Sequence, residues 1–143
     1  MSPAEGCAFC AIVAGTSPAH RVLDDEVCVA FLDVRPLFPG HLLVAPRDHH
    51  EALGDLPSDQ VGPLFARVQR LSLVVEEALV ATGSFVAVNN RVSQSVPHLH
   101  VHVVPRTKGD GLRGFFWPRQ RYAGDEEMAE VAARLRSALG HVP

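Results

Sequence analysis

Three histidines that alternate with apolar residues are the side chains best suited to chemistry, in the stretch His98-Leu99-His100-Val101-His102-Val103. Successive side chains of a strand point to opposite faces, so we expect the three imidazoles on one face and the apolar side chains on the other. Imidazole titrates near neutral pH, which suits nucleophilic and acid–base chemistry. Solvated or metal-binding histidine tracts usually lie in polar, low-complexity surroundings, whereas this row lies in a hydrophobic strand. The pattern therefore predicts a functional site.

Amide and hydroxyl side chains come before the histidine row. Gln94 and Ser95 lie just upstream of it, and Asn89 and Asn90 end the preceding predicted strand. Such groups donate hydrogen bonds to phosphate oxygens, although asparagines here are also ordinary turn formers. After the row, residues 106–121 hold five basic side chains against one acid, in a chain whose net charge is −3. We therefore expect an anionic substrate near the histidines.

A C-x-x-C pair, Cys7 and Cys10, lies near the N-terminus. In a cytosolic protein this spacing indicates a redox pair or half of a zinc site. The redox pair requires a βαβ unit, and only a short helical turn follows here. Zinc requires two more ligands, which His49 and His98 can supply, with His50 as the competitor of His49. Reduced, unliganded thiols are the remaining alternative.

Composition places the chain among ordinary globular proteins. It has 143 residues, of which 47% are apolar and 20% charged, enough for one domain with a real core. The negative net charge argues against a general nucleic-acid binder. No apolar run approaches the length needed to cross a bilayer, and the N-terminus lacks a basic region leading into an apolar stretch, so we expect no membrane association and a cytoplasmic location.

The elements that must position these residues follow from periodicity and turn signals. The predicted elements are a hairpin over residues 21–33, a third strand over 41–46, a long helix with Ser58 as its N-cap and Gly83 as its C-terminal stop, a fourth strand over 84–90, the histidine strand, and a helix from about Asp125 to Leu139. The last helix should turn Met128, Val131, Leu135 and Leu139 inward. The fold class predicted is α+β, with a five-stranded antiparallel sheet, one long helix after the third strand and a C-terminal helix.

The stretch from Gln94 to Val104 resembles the signature of the histidine triad family, which comprises nucleotide hydrolases and transferases with the pattern His-φ-His-φ-His-φ-φ. The resemblance extends from about Cys7 to about Arg106. It implies a single domain over residues 1–143, which consists of three segments. These are a zinc-binding N-terminal segment 1–15, a triad strand 98–104 and a basic and aromatic C-terminal extension 106–143. It also implies a homodimer formed through a strand edge and the long helix.

The same resemblance implies roles for the polar residues around the triad. His100 would attack the α-phosphorus, with its second ring nitrogen held by the carbonyl of His98. His102 and Gln94 would bind non-bridging oxygens, and Ser95 or Gln94 would donate to the departing group. Water would then hydrolyse the nucleotidyl-histidine intermediate. No metal ion would be needed at the phosphate.

Further residues follow from the family pattern. Asp33, after the second strand, would accept hydrogen bonds from ribose hydroxyls, although an Asp that caps its own turn is the alternative. His41, in a Pro-Gly-His sequence, would line the nucleotide pocket or brace the triad, and Asn89 would contact the nucleotide. The resemblance gives Cys7, Cys10, His49 and His98 as the ligands of a structural zinc.

The function implied is hydrolysis at the α-phosphate of adenine nucleotide conjugates, either dinucleoside polyphosphates or nucleoside phosphoramidates. The alternative is a nucleotide-sensing or zinc-dependent interaction protein with negligible turnover, but a sensor has no need of His100 and Gln94. Nucleotidyl transfer to a sugar phosphate is disfavoured by Leu99, where the relatives that catalyse it have proline. Phe115, Phe116 and Trp117 could cover the sheet, form a subunit interface or stack on a base, and we favour the first two.

Overall fold

The structure, a computed structural model, describes residues 4–113 and 119–143. It contains two compact units, one ending at Asp110 and the other running from Gly111 to Pro143. The aromatic residues Phe115, Phe116 and Trp117 lie outside the described residues. The predicted α+β class is confirmed.

A five-stranded antiparallel sheet forms the first unit. Its strands are β1 (Arg21–Asp24), β2 (Cys28–Leu32), β3 (Leu42–Pro46), β4 (Gly83–Ala87) and β5 (Val101–Arg106), in the order β1-β2-β3-β5-β4. Strand β5 therefore lies between β3 and β4, and His102 is paired with Leu43 on one side and Ala87 on the other. This arrangement places the end of the histidine row well inside the sheet.

One face of the sheet is covered by the long helix α2 (Ser58–Leu79), which lies between β3 and β4 in the chain. Its buried side chains recur every three or four residues, the spacing of an amphipathic helix, and they are Leu64, Val68, Leu71 and Val75. They pack against Leu99, Val101 and Val103, the apolar residues that alternate with the histidines. The predicted apolar face of the histidine row is thus confirmed.

Both predicted ends of α2 need correction. Pro57 occupies the N-cap position and makes no side-chain cap, so Ser58 is the first helical residue instead. At the other end the chain leaves the helix at Val80, which adopts a left-handed conformation with φ of 52°, and Gly83 is already the first residue of β4. A β-branched residue is strained there, so the position of β4, rather than local preference, ends the helix.

The opposite face of the sheet is covered by the short helix α1 (Ala8–Ala14), which the sequence predicted only as a helical turn. Its Phe9 and Ile12 pack on Val29, Phe31 and neighbouring apolar residues of β2 and β3. Strands β2 and β3 are buried on both faces for this reason. The histidines lie on the α1 side.

In the second unit, helix α3 (Asp125–Leu139) has the predicted bounds and an acidic first turn. The predicted inward orientation of its apolar stripe is wrong, since Met128, Leu135 and Leu139 are 49%, 67% and 73% exposed. Among its described residues this unit has one helix and no strand, so the unit itself offers no second layer on which the stripe could be buried. None of the helices in the described ranges is long and apolar enough to cross a membrane.

Candidate functional site

The three histidine rings gather on the α1 face of the sheet. His98 and His100 are buried and His102 is half-buried. The ring centroid of His102 is 5.0 Å from that of His100, and Phe9 of α1 contacts the rings of both His100 and His98. The predicted triad strand 98–104 needs correction, because β5 begins only at Val101. The backbone before it bonds elsewhere: the Leu99 N–H donates to the carbonyl of His50 over 2.6 Å.

The ring of His100 is oriented by its own chain. Its Nδ1 lies 2.7 Å from the carbonyl oxygen of His98. A carbonyl only accepts, so Nδ1 carries the proton and donates it to this bond. In the neutral ring Nε2 then keeps a free lone pair, which is the state an imidazole nucleophile requires.

His102 is fixed by a relay that starts at a backbone amide. The N–H of Leu37 donates to Nδ1 of His41 over 3.0 Å, so the proton of the neutral His41 ring lies on Nε2. That Nε2–H donates to Nδ1 of His102 over 2.9 Å. The Nε2–H of His102 is thereby left as a hydrogen-bond donor.

Burial keeps these rings neutral. It is the largest cause that lowers the pKa of His102 to about 4, with the neighbouring rings of His100 and His41 adding to the effect. Burial also lowers the pKa of His41, against the opposing influence of Asp33. Both rings are therefore uncharged hydrogen-bonding groups at neutral pH.

Gly40 brings His41 into place. Its φ of +96° is in the region that favours glycine, and a Cβ there would lie 2.0 Å from Cδ1 of Leu79. Asp33 begins the same loop: its Oδ1 accepts the N–H of Arg35 over 2.9 Å, and its Oδ2 is 3.8 Å from Nε2 of His41. The turn-forming role considered for Asp33 is thus observed.

Asp33, His41 and His102 also have ligand atoms within 4.8 Å of one another. A metal at this set would need a lone pair on Nε2 of His41. The N–H that Leu37 donates to Nδ1 forces the proton onto Nε2 instead. The set does not suit a metal ion in this arrangement.

A second set of ligand atoms within 4.8 Å of one another does suit a metal ion, and it consists of Cys7, Cys10, His49 and His98. Nδ1 of His98 lies 3.5 Å and 3.6 Å from the two sulfurs, and Nδ1 of His49 lies 3.4 Å from Sγ of Cys10. The bond lengths of tetrahedral zinc require sulfur–nitrogen separations of about 3.6 Å. Nε2 of His98 donates to the carbonyl of Pro46 over 2.9 Å, which leaves its Nδ1 lone pair facing the sulfurs.

The structure distinguishes the two adjacent histidines after β3. His49 belongs to the cluster, whereas the ring of His50 is buried and neither of its nitrogens has a hydrogen-bond partner within the described ranges. Burial raises the pKa of the Cys10 thiol, so a metal would have to displace its proton.

The polar residues upstream of the triad belong to a loop tied to residues 51–55. Nε2 of Gln94 donates to the carbonyl of Glu51 over 2.6 Å, and its Oε1 accepts the N–H of Arg91 over 2.9 Å. Ser95 and Asn89 are exposed. In the part of the chain that the structure describes, no hydrogen bond joins these side chains to the triad.

Sequence reasoning missed three groups that act on the histidines: the ring of Phe9, the N–H of Leu37 and the carbonyl of Pro46. Two of them are backbone groups, which carry no residue-type signal. Phe9 is visible in the sequence as an aromatic residue between the two cysteines of the C-x-x-C pair.

Comparisons with known proteins agree with this geometry. The sequence model of the HIT domain matches residues 14–109. The protein hit of Bacillus subtilis (strain 168) is 36% identical over 145 residues, covering 97% of this chain and 98% of that protein. The structure of SMU.412c from Streptococcus mutans UA159 superposes with a TM-score of 0.85 and 31% identity, over 97% of this chain and 89% of that one. A zinc-bound histidine triad family protein from Mycobacterium smegmatis has a TM-score of 0.72 and 38% identity, over 93% and 97%.

Two further relatives carry enzyme names. An adenylylsulfatase of Arabidopsis thaliana is 29% identical over 96% of this chain and 71% of its own length. An asymmetrical bis(5'-nucleosyl)-tetraphosphatase of Schizosaccharomyces pombe is 31% identical over 71% of this chain and 66% of its own. Hydrolases of nucleotide conjugates are thus found among the relatives, beside many proteins of uncharacterized activity. With its matched domain, its sheet and its histidine row, the chain belongs to the HIT domain family.

Proposed function

We propose that this protein is a hydrolase that cleaves the α-phosphate bond of adenine nucleotide conjugates, either dinucleoside polyphosphates or nucleoside phosphoramidates, through a nucleotidyl-histidine intermediate. The observation that carries the proposal is the 2.7 Å hydrogen bond from Nδ1 of His100 to the carbonyl of His98. It places the proton of the neutral ring on Nδ1 and so leaves the lone pair of Nε2 free on a buried imidazole. The enzyme names of two relatives support the same reaction class.

In the first step Nε2 of His100 attacks the α-phosphorus, and the bond from that phosphorus to the leaving oxygen or nitrogen breaks with its electron pair going to the leaving atom. A leaving nitrogen takes up a proton from solvent. The Nε2–H of His102 binds a non-bridging oxygen, because the relay from His41 fixes this proton. Ser95 or Gln94 donates a hydrogen bond to the departing group. Gln94 uses one amide N–H on Glu51, and the amide carries a second.

In the second step water attacks the phosphorus and releases a proton to solvent, the bond to Nε2 of His100 breaks with its electron pair returning to that nitrogen, and the nucleoside monophosphate leaves. Splitting one displacement into two lowers the barrier of each, provided that the nucleophile is oriented. The free lone pair at Nε2 is restored when the phosphorus–nitrogen bond breaks. No metal ion takes part in either step.

Nucleotide recognition is assigned to three residues. Asp33 accepts from the ribose hydroxyls, with Oδ2 as the oxygen that faces His41. His41 lines the pocket beside the triad, and Asn89 contacts the nucleotide from the exposed end of β4. We take adenine as the base because the named enzymes among the relatives include an adenylylsulfatase.

Zinc is the proposed metal at Cys7, Cys10, His49 and His98. The zinc-bound relative and the separations of the ligand atoms support this choice. When bound, zinc would supply a closed, four-ligand cross-link between the N-terminal segment and the triad.

A homodimer is proposed through β4 and α2. Strand β4 is an edge of the sheet, and Val86 on it is exposed. Leu73 and Val74 on the nearby helix are exposed as well. Sedimentation equilibrium should return twice the monomer mass, and the monomer mass would contradict the assembly.

The function is tested by incubating wild type and His100→Ala in parallel with diadenosine polyphosphates and with adenosine phosphoramidate, one set containing EDTA at a concentration that leaves the bound zinc in place. We expect turnover in wild type, a loss of at least about 10³-fold in His100→Ala, and no effect of EDTA. The better substrate identifies the substrate class. If neither compound is cleaved while AMP still binds, the protein is a nucleotide sensor instead.

A further inference from the structure

The aromatic residue of the C-x-x-C segment lies against the nucleophile. The Phe9 ring centroid is 4.9 Å from that of His100 at an interplanar angle of 85°, and 5.9 Å from that of His98 at 65°. Phe9 is buried, and its ring also contacts that of Phe31, at 5.3 Å and 76°. These are the edge-to-face arrangements that aromatic rings favour.

Among the described residues, three contacts together hold the ring of His100. Its Nδ1–H is bonded to the carbonyl of His98, the ring of Phe9 contacts it, and the ring of His102 lies 5.0 Å away. With the hydrogen bond to His98 alone, the ring of His100 could still rotate about the line that joins Nδ1 to the carbonyl oxygen. Packing against a rigid ring restricts that pivot, and attack on phosphorus requires the Nε2 lone pair to stay aligned.

Helix α1, which carries Phe9, has seven residues, and a helix of this length is not stable by itself in water. Cys7 is its N-cap and Cys10 lies in its first turn, and both belong to the metal cluster. The guanidinium of Arg21 bonds the carbonyl of Ile12 further along the helix. The cluster therefore restrains the end of the helix where Phe9 lies, in addition to the packing of Phe9 on Phe31 and its apolar neighbours.

We propose that Phe9 is a positioning residue for His100, and that the metal site of Cys7, Cys10, His49 and His98 fixes Phe9 by fixing helix α1. The inference rests on the proposed function, because it states that the metal site serves to orient His100, the proposed nucleophile. Phe9 sits between the two cysteine ligands, so each ligand bond restrains its backbone. The metal would then influence the rate without touching the substrate.

The first test compares Phe9→Leu with Ile12→Val, a matched change in the same helix and the same apolar cluster. Leucine keeps most of the buried volume and removes the ring. We expect kcat of Phe9→Leu to fall by about 10–100-fold, as a small misplacement of a reacting group does, with KM within about threefold of wild type and zinc content unchanged. Ile12→Val should keep the wild-type kcat. An unchanged kcat in Phe9→Leu, or an equal fall in Ile12→Val, would overturn the inference.

The second test removes zinc with a chelator and follows the His100 ring by NMR in histidine-labelled protein. We expect the ring signals of His100 to broaden or shift in zinc-free wild type and in Phe9→Leu, and to stay as in zinc-loaded wild type in Ile12→Val. This readout requires no turnover, so it decides the role of Phe9 even if no substrate is cleaved and the proposed function fails. Removal of zinc should also lower kcat much less in Phe9→Leu than in wild type, and equal falls would contradict the coupling.

Discussion

At the scale of single residues, backbone groups decide what each imidazole of the site can do. The carbonyls of Pro46 and His98 set the protons of His98 and His100, and the N–H of Leu37 sets those of His41 and His102. Each assignment follows from the fact that a carbonyl cannot donate and an amide nitrogen cannot accept. Within the triad, His98 is left with a free lone pair on Nδ1, His100 with a free lone pair on Nε2, and His102 with a donor N–H at Nε2.

The adjacent residues His49 and His50 lead to opposite predictions. His49→Ala removes a cluster ligand, and we expect the purified protein to lose its zinc, measured by atomic emission. His50→Leu removes a buried ring whose nitrogens have no partner in the described ranges. An unpaired buried polar group costs about 1–3 kcal/mol, so this variant should keep its zinc and unfold at equal or higher denaturant concentration.

Loss of zinc in His50→Leu, with zinc retained in His49→Ala, would reverse the ligand assignment. Sequence alone left this choice open, since adjacent residues of the same type offer no pattern to separate them. The structure separates the two residues, because the chain after β3 directs the ring of His49 toward Cys10 and buries the ring of His50.

At the scale of elements, the strict alternation of the histidine row determined which residues share a face. A period of two leaves no other arrangement once one face must be buried, and Leu99, Val101 and Val103 do pack under α2. Where β5 begins was not predictable, because it depends on the bond from Leu99 to His50. The end of α2 at Val80 likewise depends on β4, where Gly83 pairs with Arg106.

The sequence could not predict the extent of α1 or the anchoring of the loop before the triad. Seven residues carry too little periodicity to identify a helix, and α1 depends on its cysteine cap and on packing. Gln94 was predicted at the phosphates from its place beside the triad. Its bond to the carbonyl of Glu51, 43 residues away, is a tertiary contact that no local pattern reveals.

At the scale of the whole chain, the site combines segments that are far apart in sequence. The contact of Cys10 with His98 spans 88 residues, and that of His41 with His102 spans 61. The sheet order makes both possible, since β5 pairs with β3 and thereby brings the triad beside the residues that flank β3. The histidine motif could be recognised along the chain, but the groups that set the protons of its rings are brought to it by this topology.

The measurement that tests the central claim most directly is intact-mass spectrometry of protein quenched during turnover of adenosine phosphoramidate. The quench must be alkaline and denaturing, because a phosphorus–nitrogen bond to histidine is labile in acid. We predict a population heavier by one adenylyl group in wild type, located on the peptide that contains His100, and none in His100→Ala. Nucleophilic catalysis by His100 would be contradicted if wild type cleaved the substrate under single-turnover conditions without any adenylylated protein. An adenylyl group on another residue would contradict it as well.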